Sequence, residues 1–165
     1  MRIKKIKSSS TFKSDSVKDT KVLAGIVAKN LKGGEIIFLR GPIGAGKTTL
    51  VKDIAKALKI KQSPASASFA LVRTYASRKA KLAHIDLFRL TRCEVDNLGL
   101  DEILTDDKYI IAAEWPDALK NYFPQEKLEV KITLLSNDTR KFTFKAKGEK
   151  YMKILEKVEN EYEKK

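Results

Sequence analysis

The sequence contains very few of the residues that build disulfides and zinc sites, since its 165 positions include one cysteine and one histidine. A single cysteine, Cys93, excludes an internal disulfide and any Cys-x-x-Cys metal motif. No apolar run approaches the length of a membrane span, and the amino terminus lacks the apolar segment of a secretory signal. By elimination, we expect a cytoplasmic protein that works without a membrane.

Acidic residues are also scarce, because 34 lysines and arginines outnumber 21 aspartates and glutamates and give a formal net charge of +13. Such a charge favours an acidic partner, for which nucleic acid is the usual example. A lysine-rich composition without functional meaning explains the same excess. The charge alone leaves both interpretations open.

The strongest motif is a glycine-rich stretch that follows an apolar run at 36–39. Gly41, Gly46, Lys47 and Thr48 fit G-x-x-x-x-G-K-[ST], the P-loop pattern of proteins that bind nucleoside triphosphates. Beyond the motif, apolar residues recur at the spacing of one helix face: Leu50, Val51, Ile54, Ala55 and Leu58. Because the motif has the strand–loop–helix context that it requires, we predict an ATP site here.

A P-loop replaces the water around a triphosphate with backbone N–H groups and with the positive end of a helix. Lys47 is predicted to bridge the β- and γ-phosphates, and the Thr48 hydroxyl to hold Mg²⁺. Glycine is needed where the chain turns sharply and comes close to the phosphates. The loop residues predicted to contact ATP are Gly41, Ile43, Gly44, Ala45, Gly46, Lys47, Thr48 and Thr49.

Two carboxylates stand at the ends of predicted strands, and a P-loop enzyme needs a second metal partner and a group that orients water. Asp86 and Glu114 each follow an apolar run, and the run before Glu114 is the more apolar. In open α/β sheets, ligands bind at the carboxyl ends of the strands. Asp86 and Glu114 are therefore predicted, together with Lys47, to carry the chemistry. The separate roles of the two carboxylates stay open.

Two further side chains near these strand ends have competing interpretations. His84, the lone histidine, suggests a catalytic base, although a single histidine on a strand is more often packed or hydrogen-bonded. Without a partner cysteine or histidine, a zinc site is not expected. Trp115 follows Glu114, and it is interpreted as a core residue, as a shield of the nucleotide from water or as a partner contact.

The apolar runs predict an α/β fold, a single P-loop domain with one mixed sheet and helices on both faces. The parallel core contains the P-loop, and antiparallel hairpins at 69–87 and 128–146 extend it. Residues 1–7 are predicted as an edge strand, 8–16 as a turn-like segment and 94–104 as a helix.

The chain is predicted to consist of a main domain and a terminal helix. The P-loop domain is placed over 1–147. A charged helix over 148–165 packs on that domain or extends from it.

Five segments occur in a fixed order: Gly-Pro-Ile-Gly-Ala-Gly-Lys-Thr-Thr at 41–49, Ser-Ala-Ser-Phe-Ala-Leu-Val at 66–72, His-Ile-Asp-Leu-Phe-Arg-Leu at 84–90, Gly-Leu-Asp-Glu at 99–102 and Glu-Trp-Pro at 114–116. Together they resemble the TsaE family (also called YjeE), the small ATPases of bacterial tRNA threonylcarbamoyladenosine synthesis. The resemblance extends over roughly residues 15–145. A P-loop alone is generic, whereas its combination with His-x-Asp-x-x-Arg-Leu and Glu-Trp is specific.

The resemblance implies a role for each matching residue. Lys47 and the loop amides hold the phosphates of ATP, Thr48 and Glu114 hold Mg²⁺, and Asp86 lies nearby for metal or water. Residues 66–69 act as a switch-like loop that senses the γ-phosphate. Arg140 corresponds to a family position near the nucleotide.

Three departures from the family pattern bear on turnover. Pro42 replaces an acidic residue of the loop, Ala67-Ser68 replaces Pro-Thr, and Phe88 replaces tyrosine. We expect these departures to slow turnover or to alter the switching of the loop at 66–69.

The function implied by the resemblance is a Mg²⁺-dependent ATPase that is weak without its partners. The implied partners are a TsaB–TsaD heterodimer and, directly or through that complex, tRNA. The subunit binds and hydrolyses ATP and so resets the complex that modifies the adenosine beside the tRNA anticodon. Two alternatives stay open, a stand-alone small-molecule P-loop kinase and a non-catalytic RNA-binding module.

Overall fold

Seven strands form one sheet in the part of the chain that the structure describes, a computed structural model covering residues 7–64, 71–88, 98–119 and 121–165. The strands are β1 (Ser9–Ser14), β2 (Ile36–Arg40), β3 (Val72–Ala76), β4 (Lys81–Asp86), β5 (Tyr109–Glu114), β6 (Lys127–Leu134) and β7 (Arg140–Lys147). Their order across the sheet is β1-β7-β6-β2-β5-β4-β3. The strand that precedes the glycine-rich motif is therefore central.

The sheet is mixed, as predicted. β2 runs parallel to β5 and β6, and β4 runs parallel to β5. β3 and β4 form one antiparallel hairpin, β6 and β7 form a second, and β1 pairs antiparallel with β7. The two predicted hairpins are confirmed, although residues 65–70, at the start of the first, lie outside the described residues.

The central strand is apolar along almost its whole length because both of its faces are covered. Successive side chains of a strand point to opposite faces. Ile37 and Leu39 belong to a large core on one face, whereas Ile36 and Phe38 belong to a smaller core on the other. A parallel strand buried on both faces is expected to be continuously apolar.

Helices lie on both faces of the sheet, as predicted. The described helices are α1 (Val17–Lys29), α2 (Lys47–Ala57), α3 (Leu100–Thr105), α4 (Glu149–Tyr162) and a 3₁₀ helix at Pro116–Leu119. Side chains of α1, α2 and α4 join the large core, and side chains of α3 join the smaller one. None of these described helices is both long enough and apolar enough to cross a membrane.

The prediction for the amino-terminal segment is wrong. Residues 8–16 were expected to be turn-like, but β1 occupies most of them, and residues 1–6 lie outside the described residues. Ser10, Phe12 and Ser14 point inward. Because Ser10 and Ser14 on this inward face are polar, the sequence did not predict a strand here. The hydroxyl of Ser14 is nevertheless paired, by a 2.7 Å hydrogen bond with Thr20 on α1. Phe12 anchors the strand by an edge-on contact with Phe144, with ring centroids 5.1 Å apart.

The observed bounds of two helices differ from the predicted ones. α3 begins at Leu100, because Gly99 precedes it in the left-handed conformation, so the predicted helical start at 94 is not supported at residues 98 and 99. Residues 89–97 lie outside the described part of the chain. α4 buries four side chains in the large core: Tyr151, Ile154, Leu155 and Val158. The domain boundary at 147–148 stays a prediction.

Candidate functional site

The glycine-rich loop connects β2 to α2 at the carboxyl end of the central strand. Gly41 has a φ of +152°, and a Cβ on it would lie 2.7 Å from the carbonyl oxygen of Ile132, so a larger residue does not fit. Gly46, with a φ of +102°, directly precedes α2, and no described side chain caps that helix. The first N–H groups of α2 are therefore free of a side-chain cap at the end where the helix dipole favours an anion.

Lys47 is buried beneath this loop, with 5% of its surface exposed. Its Nζ donates hydrogen bonds of 2.9 Å to the carbonyl oxygens of both Gly41 and Pro42. Nζ also lies 3.9 Å from the centre of the Trp115 ring, a cation–π contact. Burial lowers the pKa of Lys47, and the charges of Glu114 and Asp86 partly oppose that shift.

The two carboxylates lie side by side at the same edge of the sheet. Asp86 is the last residue of β4 and Glu114 the last of β5, and the parallel register places them opposite each other. Both are buried, with exposures of 7% and 2%. Burial raises the pKa of Asp86, a hydrogen bond from the Phe88 amide lowers it, and the negative charge of Glu114 raises it further.

Glu114 is the centre of the polar contacts in the site. Its Oε1 accepts a 2.7 Å hydrogen bond from the Thr48 hydroxyl, which stands in the first turn of α2. The same oxygen lies 2.8 Å from Nε2 of His84, which is fully buried on β4. Thr48 and Glu114, two residues 66 positions apart in the chain, therefore present adjoining oxygens. Hydroxyl and carboxylate oxygens are ligands that suit Mg²⁺.

A cavity of about 320 Å³ opens beside these groups. It brings together most of the residues predicted for the site. Its lining consists of Ile43, Gly44, Gly46, Lys47, Thr48, Thr49, Asp86, Phe88, Glu114 and Trp115. The first turn of α2, including Lys47, and the carboxylates that end β4 and β5 therefore share one opening.

The other predicted site residues lie at the margin of this cavity. Gly41 lies behind the loop against β6, and Ala45 is fully buried. Arg140, at the start of β7, comes close to the loop, with its Nε 3.6 Å from where a Cβ on Gly46 would stand. Its guanidinium donates to the carbonyl oxygens of Asn137 and Asp138. A cation is therefore held next to the start of α2.

The rim of the cavity is apolar and exposed. Ile43 is 74% exposed and Phe88 is 51% exposed. The rings of Phe88 and Trp115 contact each other with centroids 5.0 Å apart. Trp115 takes a φ of +56°, which is uncommon for a residue with a large side chain. This backbone conformation occurs where the indole meets Lys47.

Two contacts in the site were not predicted from the sequence. The first is the pairing of His84 with Glu114, and the second is the contact of Lys47 with Trp115. The sequence did contain an indication of the His84–Glu114 contact. His84 and Asp86 are two residues apart on one strand, so His84 shares the face of that strand on which the predicted carboxylate lies. The segment 66–69, predicted as a switch-like loop, lies outside the described residues.

A second surface lies at the opposite end of the sheet. A cavity of about 910 Å³ there involves the turn of the β3–β4 hairpin and the residues just after α2, and a smaller one of about 500 Å³ shares that turn. We call their cationic side chains the basic end: Lys32, Lys59, Lys61, Arg78, Lys79, Lys81 and Lys108. Lys81 begins β4, whereas Asp86 ends it, so the two surfaces occupy opposite edges.

The described fold and site define a class, the mixed α/β proteins in which a glycine-rich loop joins a central parallel strand to a helix beside strand-end carboxylates. Within that class, residues 14–142 match the sequence model described as "Threonylcarbamoyl adenosine biosynthesis protein TsaE". The chain belongs to the TsaE family, which is involved in tRNA threonylcarbamoyladenosine biosynthesis.

Individual relatives agree with this assignment. The chain is 33% identical over 140 residues to the TsaE protein of Bacillus subtilis, which covers 85% of this chain and 87% of the relative. It is 46% identical over 105 residues to that of Aquifex aeolicus, which covers 62% of this chain and 74% of the relative. The crystal structure of Bacillus subtilis YdiB matches with a TM-score of 0.79 and 29% identity, over 93% of this chain and 95% of YdiB.

Proposed function

We propose that the chain is a Mg²⁺-dependent ATPase that supports threonylcarbamoyl transfer to the adenosine beside the tRNA anticodon. Its partner in this proposal is a TsaB–TsaD heterodimer, which it resets between turnovers by hydrolysing ATP. One observation carries the proposal: the Thr48 hydroxyl and the Glu114 carboxylate meet at the start of α2, next to the buried Lys47.

The phosphate part of the site follows from the loop. In the proposal, the backbone N–H groups of 41–49 and the positive end of α2 hold the phosphates as a P-loop does. Lys47 supplies a charge that is already desolvated, so it interacts strongly with a phosphate that replaces the loop carbonyls. Arg140 adds a second cation beside Gly46.

The donor groups present fit Mg²⁺ better than a transition metal. Mg²⁺ usually takes one or two protein oxygens and completes its shell with phosphate oxygens and water. Thr48 and Glu114 supply such oxygens, and the described residues contain no cluster of three or more His, Cys, Asp or Glu side chains suited to a metal. When bound, Mg²⁺ neutralises charge that develops on the phosphates.

Asp86 is the second acidic group of the proposed chemistry. It stands opposite Glu114 and lines the same cavity, so its carboxylate is available to orient a water molecule or to support the metal. Because burial raises its pKa, it accepts a proton more readily than an exposed aspartate does. We assign Asp86 to water or metal and Glu114 to metal.

The two surfaces of the molecule suggest how the subunit meets its partners. The apolar rim formed by the exposed Ile43 and Phe88 and the half-buried Trp115 adjoins the nucleotide cavity, so a protein that docks there is sensitive to what the cavity holds. The basic end is separated from the rim by the length of the sheet, and its cations suit RNA phosphates. We propose that the rim faces the heterodimer and that the basic end faces tRNA.

Hydrolysis measured with and without the partners tests the proposal. The full chain is assayed with Mg²⁺ and ATP, alone, with a TsaB–TsaD pair, and with the pair and tRNA, beside the Lys47→Ala and Glu114→Ala variants. We expect slow hydrolysis alone, faster hydrolysis with the pair, and losses in both variants. Transfer of phosphate to a nucleoside or sugar would instead support a kinase, and tRNA binding without hydrolysis would support an RNA-binding module.

A further inference from the structure

His84 is a buried histidine whose two ring nitrogens have unequal surroundings. The side chain is fully buried on β4, the strand next to the edge strand β3. Nε2 lies 2.8 Å from Oε1 of Glu114, whereas Nδ1 is buried and has no hydrogen-bond partner among the described residues. The register places His84 opposite Ala112, so its side chain and that of Glu114 lie on the same face of adjacent strands.

The contact fixes where the proton of the ring is. An ionised carboxylate only accepts hydrogen bonds, so Nε2 must donate to Glu114. A proton on Nδ1 would be a buried donor without a partner among the described residues, which is costly. The geometry therefore fits the tautomer that carries its proton on Nε2. Full burial also separates this ring from the cavity, whose lining does not include His84.

We infer that His84 is a positioning residue that holds the Glu114 carboxylate in place for Mg²⁺. Two donors converge on one carboxylate oxygen, but they differ in freedom: the Thr48 hydroxyl rotates about a single bond, whereas the His84 ring is locked in the core. If the Thr48 hydroxyl were to bind a metal ion instead, His84 would still orient Glu114. Partners of this kind orient metal ligands and set metal affinity.

The inference rests on the proposed function, because it takes Glu114 to be a metal ligand. It assigns His84 a role other than that of catalytic base. A base must reach the proton that it removes, whereas the described contact of this ring is to Glu114. The consequence is specific: a change at His84 should weaken Mg²⁺ binding and leave metal-free ATP binding almost unchanged.

Two variants of similar polarity separate positioning from general disruption. In His84→Gln the side-chain amide reaches about as far as Nε2 and can still donate to Glu114, whereas in His84→Asn the amide ends near the position of Nδ1. Tyr75→Phe is the matched control, because it removes another buried polar atom without a described partner from the same sheet. All of these are compared as full-length chains.

Mg²⁺ binding is measured by titrating Mg²⁺ into the ATP-saturated protein and following the fluorescence of the single tryptophan, Trp115. We expect His84→Asn to weaken Mg²⁺ binding by about 10–100-fold and His84→Gln by less than about threefold. ATP binding in EDTA, measured by calorimetry, should change less than about threefold in both variants and in Tyr75→Phe. Equal Mg²⁺ affinity of the Gln and Asn variants would overturn the inference.

A spectroscopic readout tests the same inference in the wild-type chain, without any variant. Because the chain has one histidine, ¹⁵N labelling of histidine gives one imidazole spectrum. We expect a protonated Nε2 and an unprotonated Nδ1 at neutral pH, and the opposite tautomer would contradict the contact with Glu114. If the wild-type protein binds no Mg²⁺ with ATP, the proposed function fails; if it does bind but the variants do not differ, only the inference fails.

Discussion

The two ends of the sheet carry charge in opposite ways. At the carboxyl edge, the charged groups Lys47, Asp86 and Glu114 are buried, and each is hydrogen-bonded to a defined partner. At the other edge, the turn of the β3–β4 hairpin exposes Arg78 and Lys79. A buried, ordered constellation is suited to chemistry, whereas exposed cations create a field that acts on any polyanion.

The difference predicts how each end responds to change. Buried charges interact through a medium of low effective dielectric, so losing one of them removes a large and specific energy. Exposed charges are screened by water and salt, so each one contributes little and their combined effect grows with how many there are. Substitutions of the charged residues that the proposal assigns to catalysis at the carboxyl edge should therefore abolish ATP hydrolysis. Substitutions at the basic end should each weaken tRNA binding by a small amount.

The largest effect is expected at Lys47. Lys47→Ala removes the desolvated ammonium that the proposal assigns to the phosphates, so we expect ATP hydrolysis to fall by on the order of 1,000-fold. Steady-state hydrolysis measures it, with tRNA binding recorded in parallel and expected to stay unchanged. Lys52→Ala, at an exposed position of the same helix, is the matched control and should keep full activity. Equal losses in both variants would show that the loss of hydrolysis does not depend on the buried position of Lys47.

A somewhat smaller effect is expected at Glu114. Glu114→Gln keeps the shape but loses the negative charge offered to the metal, so hydrolysis should fall by on the order of 100-fold. Raising Mg²⁺ should restore part of the activity, which an Mg²⁺ titration of the rate will show. Glu129→Gln, at a partly buried glutamate on β6, is the control and should need no extra Mg²⁺. A Glu114→Gln variant with wild-type Mg²⁺ dependence would argue against a metal role.

Charge reversals at the basic end should weaken tRNA binding in steps, according to the number of charges reversed. Reversing two charges in Arg78→Glu/Lys79→Glu should weaken tRNA binding on the order of tenfold and lower the salt slope by about 2, without changing hydrolysis. The matched control is Lys153→Glu/Lys157→Glu, which makes the same charge change on the exposed side of α4. Fluorescence anisotropy over a series of salt concentrations measures both. If both double variants lose the same affinity, the charge acts diffusely and the basic end has no special role.

The smallest effect is a change in stability with pH at Asp86. Its pKa is raised in the folded protein, so the folded chain holds this proton more tightly than the unfolded chain does. The stability from this proton is present below the ordinary pKa of 3.8 and is lost as pH rises through the raised value. Asp86→Asn, which cannot ionise, should therefore be more stable than the wild type at neutral pH.

Thermal unfolding in EDTA at several pH values measures this difference. We expect Asp86→Asn to raise Tm by roughly 2–4 °C at pH 7, which is what about 1 kcal/mol gives a chain of this size, and to lose that advantage below pH 3.8. Asp107→Asn, at an exposed position, should change Tm by less than about 2 °C. A destabilising Asp86→Asn at neutral pH would mean that the carboxylate is held by favourable contacts instead.

The arrangement at the carboxyl edge follows from the sequence more directly than the rest of the fold does, for a physical reason. The loop depends on local features, namely glycines at fixed spacing, an apolar run before them and an amphipathic helix after them. Asp86 and Glu114 were predicted to lie together because strand ends in an α/β sheet meet at one edge, and the register places them there. β1 was not predicted because Ser10 and Ser14 are polar and were expected at the surface, whereas in the fold both are buried and Ser14 is hydrogen-bonded to Thr20.

Register and strand order could not be derived in the same way. They depend on pairings between distant segments, such as β2 with β6 and β5 with β4, that no local pattern encodes. The contact between His84 and Glu114 follows from that register, and so does the separation of the basic end from the cavity. Trp115 was assigned three roles because its position over Lys47 depends on an unusual backbone conformation.

The most direct test of the central claim is ATP binding by calorimetry, in Mg²⁺ and in EDTA, for the wild type and Lys47→Ala. We predict one ATP per chain, binding that is tighter with Mg²⁺ than with EDTA, and a large loss of affinity in Lys47→Ala. A wild type that binds no ATP, or a Lys47→Ala variant that binds it equally well, would contradict the assignment of the carboxyl edge as a nucleotide site.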